Sequence, residues 1–212
     1  MRPKLKICGL RSPDNIRDVA ALYPDFIGFI FYERSKRYVG ASFEMPAALP
    51  PTVKRVGVFV DADPAFMTAT VSRYGLDFVQ LHGGESVETC AIRKETGVGV
   101  IKVFGIGAAM DFAALAPFEH VVDFFLFDTK TDGYGGSGKT FDWKLLDSYP
   151  LTTPFFLSGG LTIDHLAAIG NWHHPKLFAL DFNSGVEDAP GLKSIDKIKS
   201  VQAGLVQLNE IK

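Results

Sequence analysis

Cysteine is almost missing from this chain: Cys8 and Cys90 are the only two in 212 residues. Two distant cysteines make no disulfide framework, and neither has metal-site spacing. Long apolar runs are missing as well. No segment approaches the ~18 consecutive apolar residues of a membrane span. Met1-Arg2-Pro3-Lys4 leads into only a short apolar strand, so no secretory leader and a cytoplasmic setting are expected. An excess of one charge is also absent. A formal net charge of −2 with scattered lysines argues against nucleic acid as a partner. The 12 prolines are dispersed and no low-complexity tract marks a linker. What remains is 47% hydrophobic and 22% charged, a globular composition with enough length for one large core. A single domain over residues 1–212 is expected.

Short β-like runs alternate with longer segments of helical character. The strand candidates are Leu5–Cys8, Phe26–Phe31, Arg55–Val60, Phe78–Leu81, Gly99–Phe104, Phe124–Asp128, Phe155–Ser158 and Leu177–Asp181. Helical spacing or helix-start signals mark Pro13–Leu22, Pro64–Tyr74, Ser86–Thr96 and Ile163–Ile169. Eight strands alternating with helices in so short a chain predict an α/β fold, a single (β/α)8 TIM barrel. A doubly wound sheet would carry a glycine fingerprint after its first strand, and none follows here. An internal echo fits the barrel: Lys6-Ile7-Cys8-Gly9-Leu10 resembles Lys102-Val103-Phe104-Gly105-Ile106.

One motif points elsewhere. Gly133-Tyr134-Gly135-Gly136-Ser137-Gly138-Lys139-Thr140 satisfies the Walker A pattern letter for letter. A true phosphate loop follows its strand directly and opens a long apolar helix. Here Thr129 to Asp132 intervene, and Phe141-Asp142-Trp143-Lys144 reads as a loop exit or short turn. The context fits a strand-end carboxylate followed by a glycine-rich lid, not a nucleotide site.

In a barrel, reactive groups gather at the carboxyl ends of the strands. Those positions hold Cys8, His82, Asp128, Ser158-Gly159-Gly160 and Asp181, with Arg37 shortly after strand two. Strand parity turns Leu5 and Ile7 outward onto helices and Lys6 and Cys8 inward. A lysine beside a thiol favours thiolate, so Cys8 reads as functional, whereas Cys90 in a helix reads as structural. Asp128 closes an apolar run, the setting of an acid with a raised pKa, although it could simply cap a turn. Asp181 is either an active-site acid or a partner for Lys6. Arg37 is either a surface cation or a ligand anchor, and His82 either a satisfied strand-end histidine or a site residue. Gly159, Gly160, Ser184 and Gly185 follow strands seven and eight and form either plain tight turns or a phosphate site, since barrels commonly bind phosphate there. Ser184 to Glu187 reads as the start of a short extra helix.

Together these motifs resemble phosphoribosylanthranilate isomerase of tryptophan biosynthesis. The resemblance runs through Lys6 to Leu10, Gly28 to Tyr32, Ser35 to Val39, Val56 to Phe59 and Gln80 to Gly83. It continues through Asp128-Thr129, Gly135 to Trp143, Leu157 to Leu161 and Asp181 to Glu187. It implies an Amadori rearrangement without cofactor or metal, acting on a small phosphorylated substrate in a monomer or weak homodimer. The family's general base falls on Cys8 and its general acid on Asp128. Arg37 matches the arginine that engages the anthranilate carboxylate, Asp181 an active-site aspartate, and His82 belongs to the same substrate site. Phosphate contacts fall on Gly159, Gly160, Ser184 and Gly185. Asn183 stands where many members have serine, and an aspartate often found after Lys193 is missing. The alternatives are another phosphosugar isomerase or lyase on the same barrel, or a non-catalytic phosphate-binding barrel. The histidine-pathway isomerase is expected to carry aspartate where Cys8 stands, so the cysteine argues against it.

Overall fold

The strands of this chain are apolar on both faces, as a parallel sheet covered on both sides requires, and they close on themselves. A computed structural model describes residues 2–130 and 140–210, the side chains of 209 and 210 excepted. Its eight parallel strands form a closed barrel in chain order: β1 Lys4–Ile7, β2 Phe26–Ile30, β3 Lys54–Phe59, β4 Phe78–Leu81, β5 Gly99–Ile106, β6 Phe124–Thr129, β7 Phe155–Leu157 and β8 Leu177–Phe182. Register closes the ring where Lys6 pairs with Asp181 across β1 and β8.

The interior is filled from one end. Phe26, Phe78, Phe124 and Phe178 come from the four even-numbered strands and meet in a closed circuit of ring contacts, with centroids 4.4 to 6.1 Å apart. A layer drawn from alternate strands is how a small barrel fills its bore, and these four close its amino-terminal end. Val56, Ile101, Leu126, Phe156 and Ala179 continue the apolar interior. Buried polar side chains, Lys6, Gln80 and Asp181, then replace it on the way to the cavity at the carboxyl end. Leu5 and Ile7 pack outward into the larger core shared with the helices, as parity predicts.

Helices cover less of the barrel than the alternation predicts. Among the described residues, α1 (Pro13–Ala20), α2 (Pro64–Tyr74), α3 (Val87–Glu95), α4 (Leu166–Trp172) and α5 (Ile195–Glu210) follow β1, β3, β4, β7 and β8. α2 is capped by Asp63, which accepts from the amides of Ala65 and Phe66, and ends on left-handed Gly75. No helix follows β2, where Pro46, Pro50 and Pro51 remove backbone donors. Among the described residues, 3-10 turns, Phe112–Phe118 and Trp143–Ser148, follow β5 and β6. Proline again explains this, inside the first turn at Pro117 and just beyond the second at Pro150.

The expected extra helix after β8 is a three-residue 3-10 turn, Ser184–Val186, and the chain then forms a hairpin of β9 (Glu187–Ala189) and β10 (Leu192–Lys193). The internal echo fails on parity. Lys6 faces the interior, whereas on β5 the interior residues are Ile101 and Val103, so Lys102 faces out toward Glu85 at 2.9 Å. No helix among the described residues is long and apolar enough to cross a membrane.

Candidate active site

One cavity at the carboxyl end of the barrel is lined by Cys8, Arg37, His82, Asp128, Gly159, Gly160, Asp181 and Ser184. Eight of the nine residues singled out above thus share one mouth. Gly185, the ninth, is absent from the lining: a Cβ there would sit 1.9 Å from the Leu161 carbonyl oxygen, so its missing side chain lets two loops touch. Ile30, Tyr32, Val58 and Val60 add an apolar wall. The Walker-like string at 133–139 lies outside the described residues.

Cys8 follows directly on β1, its amide donating to the Phe182 carbonyl at 2.9 Å. Its thiol lies over Gly28, where a Cβ would come within 2.7 Å of Sγ. Burial pushes the thiol up from its ordinary value, and the nearby Asp181 charge adds to that. Lys6 and Lys193 both pull it down, but burial prevails. Lys6 thus favours thiolate, as expected, but burial outweighs it and the net shift of the thiol is upward.

Lys6 is fully buried and donates to Asp181 Oδ2 at 2.8 Å. Burial alone works to lower Lys6 and raise Asp181, and their attraction opposes both; for Lys6 the attraction to Asp181 and Cys8 wins. Breaking a buried pair from one side strands a charge and typically costs about 3–5 kcal/mol. Lys6→Met is accordingly expected to destabilise the fold by about that amount in urea unfolding, with Lys6→Met/Asp181→Leu recovering most of it. A single variant as stable as wild type would show that the pair is not held apart from water.

Asp128 closes β6. Its Oδ1 accepts from the Thr129 amide at 2.8 Å and its Oδ2 lies 3.6 Å from His82 Nε2. Burial and the Asp181 charge push it up to about 6, against the Thr129 amide and Lys6. His82 is lowered to about 4 by burial and by the charges of Lys6 and Lys102, so at neutral pH it is an uncharged imidazole. Gln80, two residues earlier on the same strand face, places Nε2 3.4 Å from His82 Nδ1. Gln80 Oε1 and Asp181 Oδ1 are buried acceptors with no partner among the described residues, and both residues line the cavity. Buried polar atoms normally find partners, so these two suit donors on a ligand.

Arg37 reaches the cavity from the loop after β2 and is held by Glu187, with Nε 2.9 Å from Oε1 and Nη2 2.7 Å from Oε2. Lys193, fully buried, donates to the same carboxylate at 2.7 Å and to Asn183 Oδ1 at 2.8 Å. Asn15 of α1 clamps the Lys193 backbone in both directions, at 2.8 and 2.9 Å. Glu187 and Lys193 escaped the reading of the sequence, as did Gln80. Only Gln80 left a signal, through its two-residue spacing from His82. Gly159 and Gly160 both have left-handed backbones, φ 94° and 62°. Among the described residues, no acceptor takes the amides of Gly159, Gly160, Ser184 or Gly185.

The arrangement can donate a proton from Asp128, remove one at Cys8, and meet anions at Arg37 and at a cluster of open amides. Known proteins share the fold and the sequence pattern. The family model described as N-(5'phosphoribosyl)anthranilate (PRA) isomerase matches residues 5–203. A curated N-(5'-phosphoribosyl)anthranilate isomerase from Parabacteroides distasonis is 50% identical over 201 residues, covering 92% of this chain and 90% of its own. The crystal structure of phosphoribosyl anthranilate isomerase from Thermotoga maritima superposes with a TM-score of 0.81 at 35% identity, covering 97% of this chain and 99% of that one. A phosphoribosyl anthranilate isomerase solved in complex with reduced 1-(o-carboxyphenylamino)-1-deoxyribulose 5-phosphate gives 0.77 at 30% identity, with the same coverage.

Proposed function

The chain belongs to the N-(5'-phosphoribosyl)anthranilate isomerase family, and we propose that it works with Cys8 as general base and Asp128 as general acid. Its reaction is the Amadori rearrangement of N-(5'-phosphoribosyl)anthranilate to 1-(2-carboxyphenylamino)-1-deoxyribulose 5-phosphate, a step of tryptophan biosynthesis. Asp128 protonates the ribose ring oxygen as the C1'–O bond breaks and the anilino nitrogen forms a Schiff base. That cation acidifies the C2' hydrogen. Cys8 thiolate removes it, giving an enolamine that ketonises to the product. Every step is a proton transfer or a shift of electrons within the substrate, so the chemistry requires no cofactor. Each placed acid or base contributes about 10²–10⁴-fold.

The observation that carries the assignment is an acid with a raised pKa and a thiol brought together in one cavity. Asp128 is held up at about 6, close enough to neutrality to donate. Cys8 shares the cavity with it. The apolar wall of Ile30, Val58 and Val60 suits the anthranilate ring, Arg37 its carboxylate, and His82 and Asp181 the sugar. All these groups come from one chain, in keeping with a monomer or a weak homodimer. The test is a fluorescence assay of purified protein on phosphoribosylanthranilate formed in situ. Disappearance of the substrate no faster than in buffer would overturn the reading.

Phosphate is assigned to the open amides of Gly159, Gly160, Ser184 and Gly185. Gly160→Asp probes this, because aspartate tolerates a left-handed backbone better than most residues. Its carboxylate would face the phosphate at short range, where like charges repel strongly. KM should rise about tenfold or more, with the thermal midpoint little changed. An unaltered KM in a stable variant would remove the phosphate from this loop.

A further inference from the structure

The Arg37 guanidinium has two edges able to grip a carboxylate, Nε with Nη2 and Nη1 with Nη2. Glu187 already holds the first, through contacts of 2.9, 3.1 and 2.7 Å. The stem is fixed as well. It crosses Gly9, where a Cβ would come within 2.8 Å of Arg37 Cδ, and the Arg37 amide donates to Ser35 Oγ at 3.1 Å. Nη1 has no partner among the described residues, and Arg37 lines the cavity.

Charge points the same way. Arg37 and Glu187 alone would form a neutral pair with little to offer an incoming anion. Lys193 adds a positive charge, but its ammonium is spent on Glu187 Oε1, the Asn183 carbonyl and Asn183 Oδ1, at 2.7, 3.1 and 2.8 Å. It is fully buried and cannot swing into the cavity. The cluster therefore carries one net positive charge and presents it through the second edge of Arg37.

We propose that Glu187 is a positioning residue for carboxylate selection: it fixes the plane of Arg37 so that the Nη1 edge faces the cavity, while Lys193 preserves the net charge. This rests on the reading of Arg37 as the carboxylate anchor. Glu187 itself need not touch substrate.

The experiment measures equilibrium binding of two probes by calorimetry. One is reduced 1-(o-carboxyphenylamino)-1-deoxyribulose 5-phosphate; the other is the same molecule without the ring carboxylate. Wild type, Arg37→Ala, Glu187→Ala and Glu187→Gln are compared. Wild type should prefer the carboxylated probe. Arg37→Ala and Glu187→Ala should each lose about tenfold or more of that preference, the scale of a charge-assisted hydrogen bond. The probe without the carboxylate should bind the Glu187 variants within about threefold of wild type. Glu187→Gln keeps the shape and one acceptor oxygen, so an intermediate loss is expected; if Glu187→Ala does not fold, this variant decides on the same criterion. Undiminished preference in the Glu187 variants, with Arg37→Ala selective no longer, overturns the Glu187 proposal alone. Equal weakening of both probes makes Glu187 a scaffold residue and also overturns it. Preference retained in Arg37→Ala removes the anchor itself, and the proposal with it.

Discussion

Cys8→Ser is expected to lower kcat by about 10²-fold or more with little change in KM, a loss of roughly 2.7 kcal/mol in transition-state stabilisation. The substitution keeps the shape of a side chain that is only 3% exposed and sits against Gly28, so packing should survive. What changes is acidity. The buried thiol already ionises less readily than usual, and a hydroxyl in the same place ionises far less again. Substrate contacts are assigned to Arg37, His82, Asp181 and the phosphate loops, none of which the substitution touches, so binding should hold. Steady-state kinetics on both proteins, with folding followed by thermal melts, measures this directly. A Cys8→Ser enzyme within a few-fold of wild type would mean that another group takes the C2' proton.

The thiol also shows where the sequence stops being informative. A lysine two residues before a cysteine on one strand is visible in the sequence, and the pairing of Lys6 with Asp181 was foreseeable as a counter-charge. How completely the fold covers all three is not visible, and burial decides the direction of the Cys8 shift. For Asp128 the local cue pointed the right way: an acid late in an apolar strand is expected to be raised by burial, and burial is the largest cause of its shift. The barrel was legible because eight short apolar runs alternate with longer segments. Its covering was not, since proline at positions 46, 50, 51, 117 and 150 shortens or removes helices that the spacing alone suggests. Glu187 was hidden for a different reason. It precedes exposed Asp188, Ala189 and Pro190, a neighbourhood that looks like any solvated turn, and its partner Arg37 is distant in sequence. Only the closure of β8 beside β1 brings the two loops together.

Asp128→Asn should give the other large loss, again about 10²-fold or more in kcat, and its pH profile separates the acid from a structural role. On the proposed mechanism the active form has Asp128 protonated and Cys8 ionised, although Asp128 has the lower pKa, at about 6, and Cys8 is raised. Between those two values, each step up in pH gains thiolate and loses acid in equal proportion. In wild type kcat/KM should therefore be flat across that interval and fall below about pH 6, where Asp128 is fully protonated and thiolate continues to disappear. In Asp128→Asn the acid no longer titrates, so the flat region should become a tenfold rise per pH unit. The same substitution should stabilise the fold at neutral pH. Asp128 binds its proton more tightly folded, about 6, than at its ordinary 3.8, so ionisation penalises the native state. That penalty is absent below the ordinary value, grows as pH rises toward 6, and is complete above it. Relieving it should add about 1–3 kcal/mol at pH 7 and nothing near pH 3.5, as read by urea unfolding at both pH values. A variant that keeps the flat profile, or gains no stability at pH 7, would show that Asp128 is not the partly buried, raised acid on which the mechanism depends.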